Sequence, residues 1–292
     1  MKANTASRTA QYMALFRALE TRRPASKRLF SDPWATLFLG KEFRLITRLS
    51  AMGPVRWLAE HMIQRRIPGA LASGVARTQY IDELLRRSAE EGCRQVIILG
   101  AGFDTRALRL PYLAGMPVIE IDHPDTAGIK VDTLRKTLPT LPANTRYWPI
   151  DFNTQSLAGL LDTRQVDFTI PTAVIWEGVT NYLSAEAMEA AFALLGRFAK
   201  GSVVIFTYVD KKVLEEPGAF FGAEKLLNDL ERIEERWTFG FCPRQLPGWL
   251  ARYGFRLAED CGAADYRQRY LPGRDRLFRG YEFYRVALAL KV

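Results

Sequence analysis

The chain is poor in histidine and cysteine, with two of the first and three of the second among 292 residues. Cys93, Cys242 and Cys261 are odd in number and far apart, which excludes a closed disulfide framework and supplies no zinc-ligand spacing. With only His61 and His123 to add, no metal site is expected, and thiols without partners suit a reducing, cytoplasmic setting. No stretch approaches the ~18 uninterrupted apolar residues that a membrane-spanning helix needs. The first 24 residues carry no apolar run after Lys2, so neither a secretory signal nor a membrane partner is expected. Internal repeats and low-complexity segments are also missing. What remains is an ordinary folded composition, 48 % hydrophobic and 25 % charged, in a chain long enough for one large domain or a domain with an appended part.

The net charge of +9 is unevenly placed. Residues 1–80 hold 14 Lys and Arg against four acids, whereas the other 212 hold 27 against 28. Arginine outnumbers lysine by 31 to 10, which favours forked binding of carboxylate or phosphate over simple solvation. A basic segment of this kind could serve nucleic acid, a membrane surface or an acidic substrate, or be a solvated helix face.

The first 72 residues read as helices. Tyr12, Leu15, Phe16 and Leu19 recur at helical spacing, Ser31-Asp32-Pro33 reads as a helix start, and a run over 41–66 is interrupted at Gly53-Pro54. An amphipathic helix is expected over 74–91. From residue 94 apolar, β-branched runs alternate with helical segments: Val96–Leu99, Val118–Ile121, a weaker Tyr147–Ile150, Ala173–Trp176 and Val203–Val209. That alternation predicts an α/β fold with a parallel sheet covered on both faces. The helix after the fourth strand is expected from its Ser184 cap to Lys200-Gly201. Residues 211–250 read as a mostly helical insertion, and Phe255–Cys261 with Tyr281–Leu290 as a terminal antiparallel pair. The pattern divides the chain into two domains, a helical cap over 1–73 and a Rossmann-like doubly wound core over 74–292.

The candidate site lies where these strands end. Gly100-Ala-Gly102 follows the first strand, and glycine lets a backbone turn tightly and approach a ligand, as adenosyl-binding sheets require. Thr105 stands where the dinucleotide fingerprint would have its third glycine, which argues against a nicotinamide or flavin cofactor. Glu120 and Asp122 close the second strand about 20 residues on, where an acid accepts hydrogen bonds from ribose hydroxyls. Asp151-Phe152 follows the third strand, placed to receive an adenine amino group and cover its ring, or to cap the next helix. Glu177 leaves a carboxylate at the end of the fourth strand. Arg77 lies on the apolar face of its helix, where an unpaired charge is costly. Tyr182, in the loop after Glu177, is a substrate contact or a packed aromatic, and His123 a substrate-side base or a structural residue.

In order, ARTQYID (76–82), LGAGFDTRALRL (99–110), EIDHP (120–124), ID (150–151), WEGVTNYL (176–183) and WTFGF (237–241) resemble the leucine carboxyl methyltransferase family of class I S-adenosylmethionine-dependent methyltransferases. The resemblance runs from about residue 8 to the C-terminus. It implies S-adenosyl-L-methionine as cofactor, with Arg77 at its carboxylate, Gly100 lining the methionine moiety, Asp122 at the ribose, Asp151 and Phe152 around adenine, and Glu177 at the amino group. It also implies a further basic residue near the N-terminus, and Arg22 or Arg23 stands at about that position.

A carboxylate acceptor, with a pKa near 4, is already ionised and needs no general base, whereas a phenol near 10 would. The scarcity of histidine and the arginine-rich cap therefore favour O-methylation of a carboxylate, and the resemblance implies that it belongs to a small acidic metabolite or a protein C-terminus. Methylation of a small-molecule hydroxyl is the alternative. A non-catalytic nucleic-acid-binding module is a third reading, but no basic run interleaved with aromatics supports nucleic acid as partner.

Overall fold

The structure is a computed structural model and describes residues 8–151, 154–233, 235–272 and 279–292. Seven strands form one sheet: β1 Gln95–Leu99, β2 Val118–Asp122, β3 Thr145–Pro149, β4 Thr172–Trp176, β5 Val203–Val209, β6 Phe255–Cys261 and β7 Tyr284–Lys291. Their order is β3-β2-β1-β4-β5-β7-β6. β1 to β5 are parallel, and β7 runs antiparallel to both β5 and β6. The terminal strands pair as expected, but β7 is inserted between β5 and β6, so β6 is the edge and runs the same way as the first five. The burial of each strand explains the choice. Tyr284–Lys291 is buried along most of its length, whereas Phe255–Cys261 alternates between core and solvent, and only the latter tolerates an edge.

The sheet is covered on both faces because alternate residues of each central strand point opposite ways. Ile97, Leu99, Val174 and Phe206 pack with Met188 and Phe192 of α8 (Ala185–Leu195). Val96, Ile98, Ile175 and Ile205 pack with Ile81, Leu84 and Leu85 of α4 (Ala70–Glu90). Ahead of α4 lie α1 (Arg8–Thr21), α2 (Lys41–Leu49) and α3 (Gly53–Arg66), the last two divided at Gly53-Pro54 as the sequence predicts. Between strands the core carries α5 (Arg106–Arg109), α6 (Pro124–Thr137) and α7 (Leu157–Thr163).

Two local expectations are corrected. Asp32 does cap a turn, accepting the Trp34 and Ala35 N–H groups at 3.2 and 3.0 Å, but the element it caps is a single 3₁₀ turn, Ala35–Phe38, and not an α-helix. α8 starts at its Ser184 cap yet stops at Leu195, because Gly196 and the turns after it carry the chain to β5. Among the described residues of 211–250, α9 (Lys212–Glu215), a 3₁₀ turn Pro217–Ala219, α10 (Ala223–Arg232) and the start of α11 (Leu246–Ala251) are helical, as the sequence predicts. Residues 235–242 are non-helical, and Phe241 bridges Asp210 beside β5. The last helix among the described residues, α12, is Ala263–Tyr270. Among the described residues no helix is long and apolar enough to cross a membrane. The three cysteines are unbonded, and burial pushes the Cys93 thiol up to about 11.

Candidate functional site

The carboxyl ends of β1, β2 and β4 open into a cavity of about 840 Å³, within the range of ligand pockets. α1 and α4 wall one side of it, and α10 with residues 235–237 wall another. Gly100 and Gly102 line its floor with φ of +63° and +49°, the left-handed region that disfavours any side chain. Gly100 has a second reason to be glycine, since a Cβ there would stand 2.3 Å from a methyl of Val179 in the loop after β4. The two strand-end loops can meet only because that atom is missing.

Asp122 ends β2 on the cavity wall, and its oxygens accept the backbone N–H groups of Gly102 and, at 2.6 Å, of His123. Burial raises its pKa, and the two N–H groups work against that rise. Each carboxylate oxygen keeps a lone pair for a further donor. Glu120, two residues earlier on β2, is not on the wall. It is buried in an ion pair with Lys130 of α6, and burial pushes its carboxyl up to about 7 in spite of that partner. The alternation of the strand places it correctly, but α6 supplies a cation that closes it off. We therefore leave Glu120 out of the candidate binding set.

Arg77 and Glu177 face each other across the cavity wall. Arg77 Nε donates to Glu177 Oε1 at 2.8 Å, and the guanidinium lies 4.7 Å above the ring of Tyr284, a cation–π contact. Burial opposes the charge of Arg77, but Tyr284 and Glu177 more than restore it. Burial likewise opposes ionisation of Glu177, and Arg106 with Arg77 overcome it, holding the carboxyl below its usual range. A fixed cation beside a fixed anion is complementary to the carboxylate and ammonium of an amino acid.

Sequence reasoning missed the support beneath this pair. Arg106, only 3 % exposed, donates to Glu177 at 3.0 Å, to Asp82 at 2.8 Å, and to Asp104. Asp104 is on the cavity wall, where burial opposes its ionisation but Arg106 and Lys130 bring its carboxyl down to about 2. Arg109 makes a forked pair with Asp82 at 2.6 and 2.8 Å. Both arginines stood in the LGAGFDTRALRL motif. Nothing in its spacing says that the four-residue helix α5 turns them inward.

The remaining expectations divide. Tyr182 lines the cavity, with its hydroxyl raised by burial, and His123 lines it too while its Nδ1 caps α6 by accepting the Asp125 N–H at 3.3 Å. Asp151 is half-buried and is not on the wall, and Phe152 lies outside the described residues. Neither Arg22 nor Arg23 reaches the cavity. Arg22 is exposed, and Arg23 pairs with Glu20 at 2.9 Å and with Glu60. The arginine of α1 on the wall is Arg17, which donates to Asp32 at 2.8 Å and to the Phe103 carbonyl at 2.5 Å. Met13 and Arg17 both line the cavity and are one helical turn apart, so the phase of α1 decides which arginine arrives.

The profile of the leucine carboxyl methyltransferase family matches residues 10–196. A Frankia alni protein, named as a candidate S-adenosyl-L-methionine-dependent methyltransferase, is 34 % identical over 83 % of this chain and 82 % of its own length. A Streptomyces coelicolor protein of the same naming is 31 % identical over 86 % of this chain and 83 % of its own. Among solved structures, a candidate methyltransferase of Thermobifida fusca superposes with a TM-score of 0.56 at 17 % identity, over 94 % of this chain and 97 % of that one. A DUF574-family protein of Streptomyces avermitilis gives 0.58 at 14 % identity, over 94 % of this chain and all of that one, so both share the fold. The chain belongs to the leucine carboxyl methyltransferase family and is an S-adenosyl-L-methionine-dependent methyltransferase.

Proposed function

We propose that the enzyme O-methylates a carboxylate, on a small acidic metabolite or a protein C-terminus. The observation that carries this reading is the arginine set on the open side of the cavity. Arg66 from α3, Arg232 at the end of α10 and Arg236 just after it are all exposed and all on the wall. Asp229 and Glu235 share that wall, and Asp229 offsets Arg232 at 3.4 Å. A carboxylate acceptor fits cations there, because their field draws an anion toward the opening.

The cavity residues fit the cofactor on their own chemistry. Gly100 and Gly102 let backbone approach it, Asp122 offers acceptors to ribose hydroxyls, and Arg77 with Glu177 oppose the carboxylate and ammonium of a methionine moiety. When bound, S-adenosyl-L-methionine supplies an electrophilic methyl group and a neutral thioether leaving group. The chain's own work is then to bind, orient and exclude water. Arg106 holds Glu177 ionised, so the amino-acid end is fixed at one place in the wall. Tyr182, Tyr284 and Trp237 also line the cavity, presenting apolar surface against which a solvated anion must shed water. An ionised carboxylate loses no proton when it is methylated, so the employment of His123 as a helix cap costs the reaction nothing.

Incubation with methyl-labelled cofactor and a panel of carboxylic acids, phenols and alcohols tests the reading. A methyl ester releases its label as methanol in mild alkali, and an ether does not. Base-labile label is expected. Label that survives alkali would sink the carboxylate reading in favour of a hydroxyl acceptor.

A further inference from the structure

Among the described residues, the large apolar side chains standing out in solvent are, apart from the C-terminal Val292, all between Leu45 and Met62. Leu45, Ile46 and Leu49 come from α2, Met52 from the connection, and Trp57, Leu58 and Met62 from α3, with Trp57 58 % and Met62 63 % exposed. Isolated exposed apolar residues need no explanation, but seven on two consecutive helices and their connection form a patch, and patches mark interaction surfaces. Nor is the patch a loose tail. α2 and α3 are anchored from behind by Phe43, Thr47, Ala59 and Ile63, and Trp57 rests on His61, whose ring centroid is 3.8 Å away.

The charges interleaved with this patch are mostly of one sign. Lys41, Arg44, Arg48, Arg65 and Arg66 are exposed on the same two helices, and Glu42 is the exposed acid among them. The other acid, Glu60, is tied to Arg23. A second copy of the chain would seat this face on itself, because a two-fold interface opposes identical surfaces. Five exposed cations would then meet five more. Nucleic acid would satisfy the cations and leave the leucines and methionines in water. An anionic lipid surface satisfies both: leucine, methionine and tryptophan enter the acyl boundary while arginine and lysine stay at the headgroups. The patch also leads somewhere. Leu58, Met62 and Arg66 fall at i, i+4 and i+8 along α3, one stripe, and its last member stands on the cavity wall with Ile67 beside it.

We propose that the α2–α3 face is a peripheral docking surface for an anionic lipid bilayer, lying in the interface without spanning it, with the cavity opening beside it. The proposal does not depend on the identity of the methyl acceptor, since lipid binding is read without turnover.

Co-sedimentation of the full chain with phosphatidylcholine vesicles, with and without phosphatidylglycerol, is the direct test. The chain should sediment with the anionic vesicles and stay in solution with the neutral ones, with binding falling as salt rises. Trp57→Ser with Met62→Ser should weaken binding roughly tenfold or more, and so should Lys41→Gln with Arg48→Gln. These side chains project into solvent, so melting temperature and S-adenosylhomocysteine affinity should stay at wild-type values, which separates lost binding from lost folding. Three results would overturn the proposal. One is failure to sediment with either vesicle, and another is sedimentation that both double variants retain. The third is a dimer by light scattering that Trp57→Ser with Met62→Ser converts to monomer, which would give the face to a second copy.

Discussion

Two walls of one cavity use arginine in opposite ways. Just behind the closed wall Arg106 is surrounded by Asp82, Asp104 and Glu177 and Arg109 is forked onto Asp82, while Arg17, on the wall itself, is tied to Asp32. Each of these guanidinium groups is almost wholly removed from water. On the open wall Arg66, Arg232 and Arg236 are exposed, and the ion pair from Arg232 to Asp229 is long at 3.4 Å. A buried charge must have partners, so the closed wall is a lattice whose members fix one another. An exposed charge is cheap to hold and weakly committed, so it remains available to something arriving from solvent. Counting arginines therefore says little about the anion that the enzyme seeks, and their burial says more.

The largest way to break this contrast is at Arg106. Arg106→Leu leaves three carboxylates without their shared cation and should cost about 3–5 kcal/mol, the usual penalty for breaking a buried pair from one side. Denaturant titration measures it, and a loss under ~1 kcal/mol would show that the lattice is not structural. Next come the groups that face the cavity itself. Asp122→Ala and Arg77→Ala should each weaken S-adenosylhomocysteine binding by about 1–3 kcal/mol in calorimetry, at low and high salt alike. Glu120→Gln should leave that affinity unchanged, because Glu120 is turned to Lys130. A reversal of Asp122 and Glu120 would return the ribose to the wrong acid.

A comparable effect is expected from acid. Asp104 titrates in the folded chain at about 2 against a reference of 3.8, and Glu177 is also lowered. A depressed carboxyl stabilises the fold above its unfolded pKa and loses that contribution as pH falls through the folded value. Asp104 alone should thus give up roughly 2 kcal/mol between about pH 4 and pH 2. Glu120 works the other way. Raised to about 7, it favours the fold most at low pH, and that part is lost as pH rises through neutrality. Melting curves of Asp104→Asn and Glu120→Gln across pH should flatten opposite limbs of the profile. The smallest effect belongs to the open wall. Arg232→Gln with Arg236→Gln should raise the acceptor's KM a few-fold, and the difference from wild type should shrink as salt screens beyond ~8–10 Å. A change in kcat with KM unmoved would count against an attracting role.

Much of this was legible in the chain. β1, β2, β4 and β5 were readable from their β-branched runs, because central parallel strands are buried and apolar at nearly every position, whereas β3, β6 and β7 left weaker strand-like segments. The strand-end loops with Gly100, Asp122 and Glu177 were readable because glycine and acid have few reasons to stand there together. Less legible was everything that depends on helix phase. Arg17 and Arg22 look alike in sequence, and only the docking of α1 puts the first on the cavity wall and the second in solvent. The capture of Glu120 depended on Lys130, ten residues away on a helix whose rotation about its axis the apolar pattern does not fix to within one residue. The place of β7 does have a signal in the chain, the contrast between the apolar Tyr284–Lys291 and the more polar Phe255–Cys261, but simple hairpin order points the other way.

Asp32 is fully buried, and besides Arg17 of α1 it accepts the hydroxyl of Thr105 at 2.6 Å, at the entrance of α5. One carboxylate therefore joins α1 to the segment after the glycine turn. Arg17 also donates to the Phe103 carbonyl, so α1 cannot come away without stranding groups in both segments, and the two open as a single unit. In amide exchange, the N–H groups of α1 and those around Thr105 should share one opening free energy and rise together when S-adenosylhomocysteine binds. A protease that cuts within α1 should then act on an enzyme whose cofactor floor has already let go, and the cofactor should protect a helix that stands some 80 residues earlier in the chain.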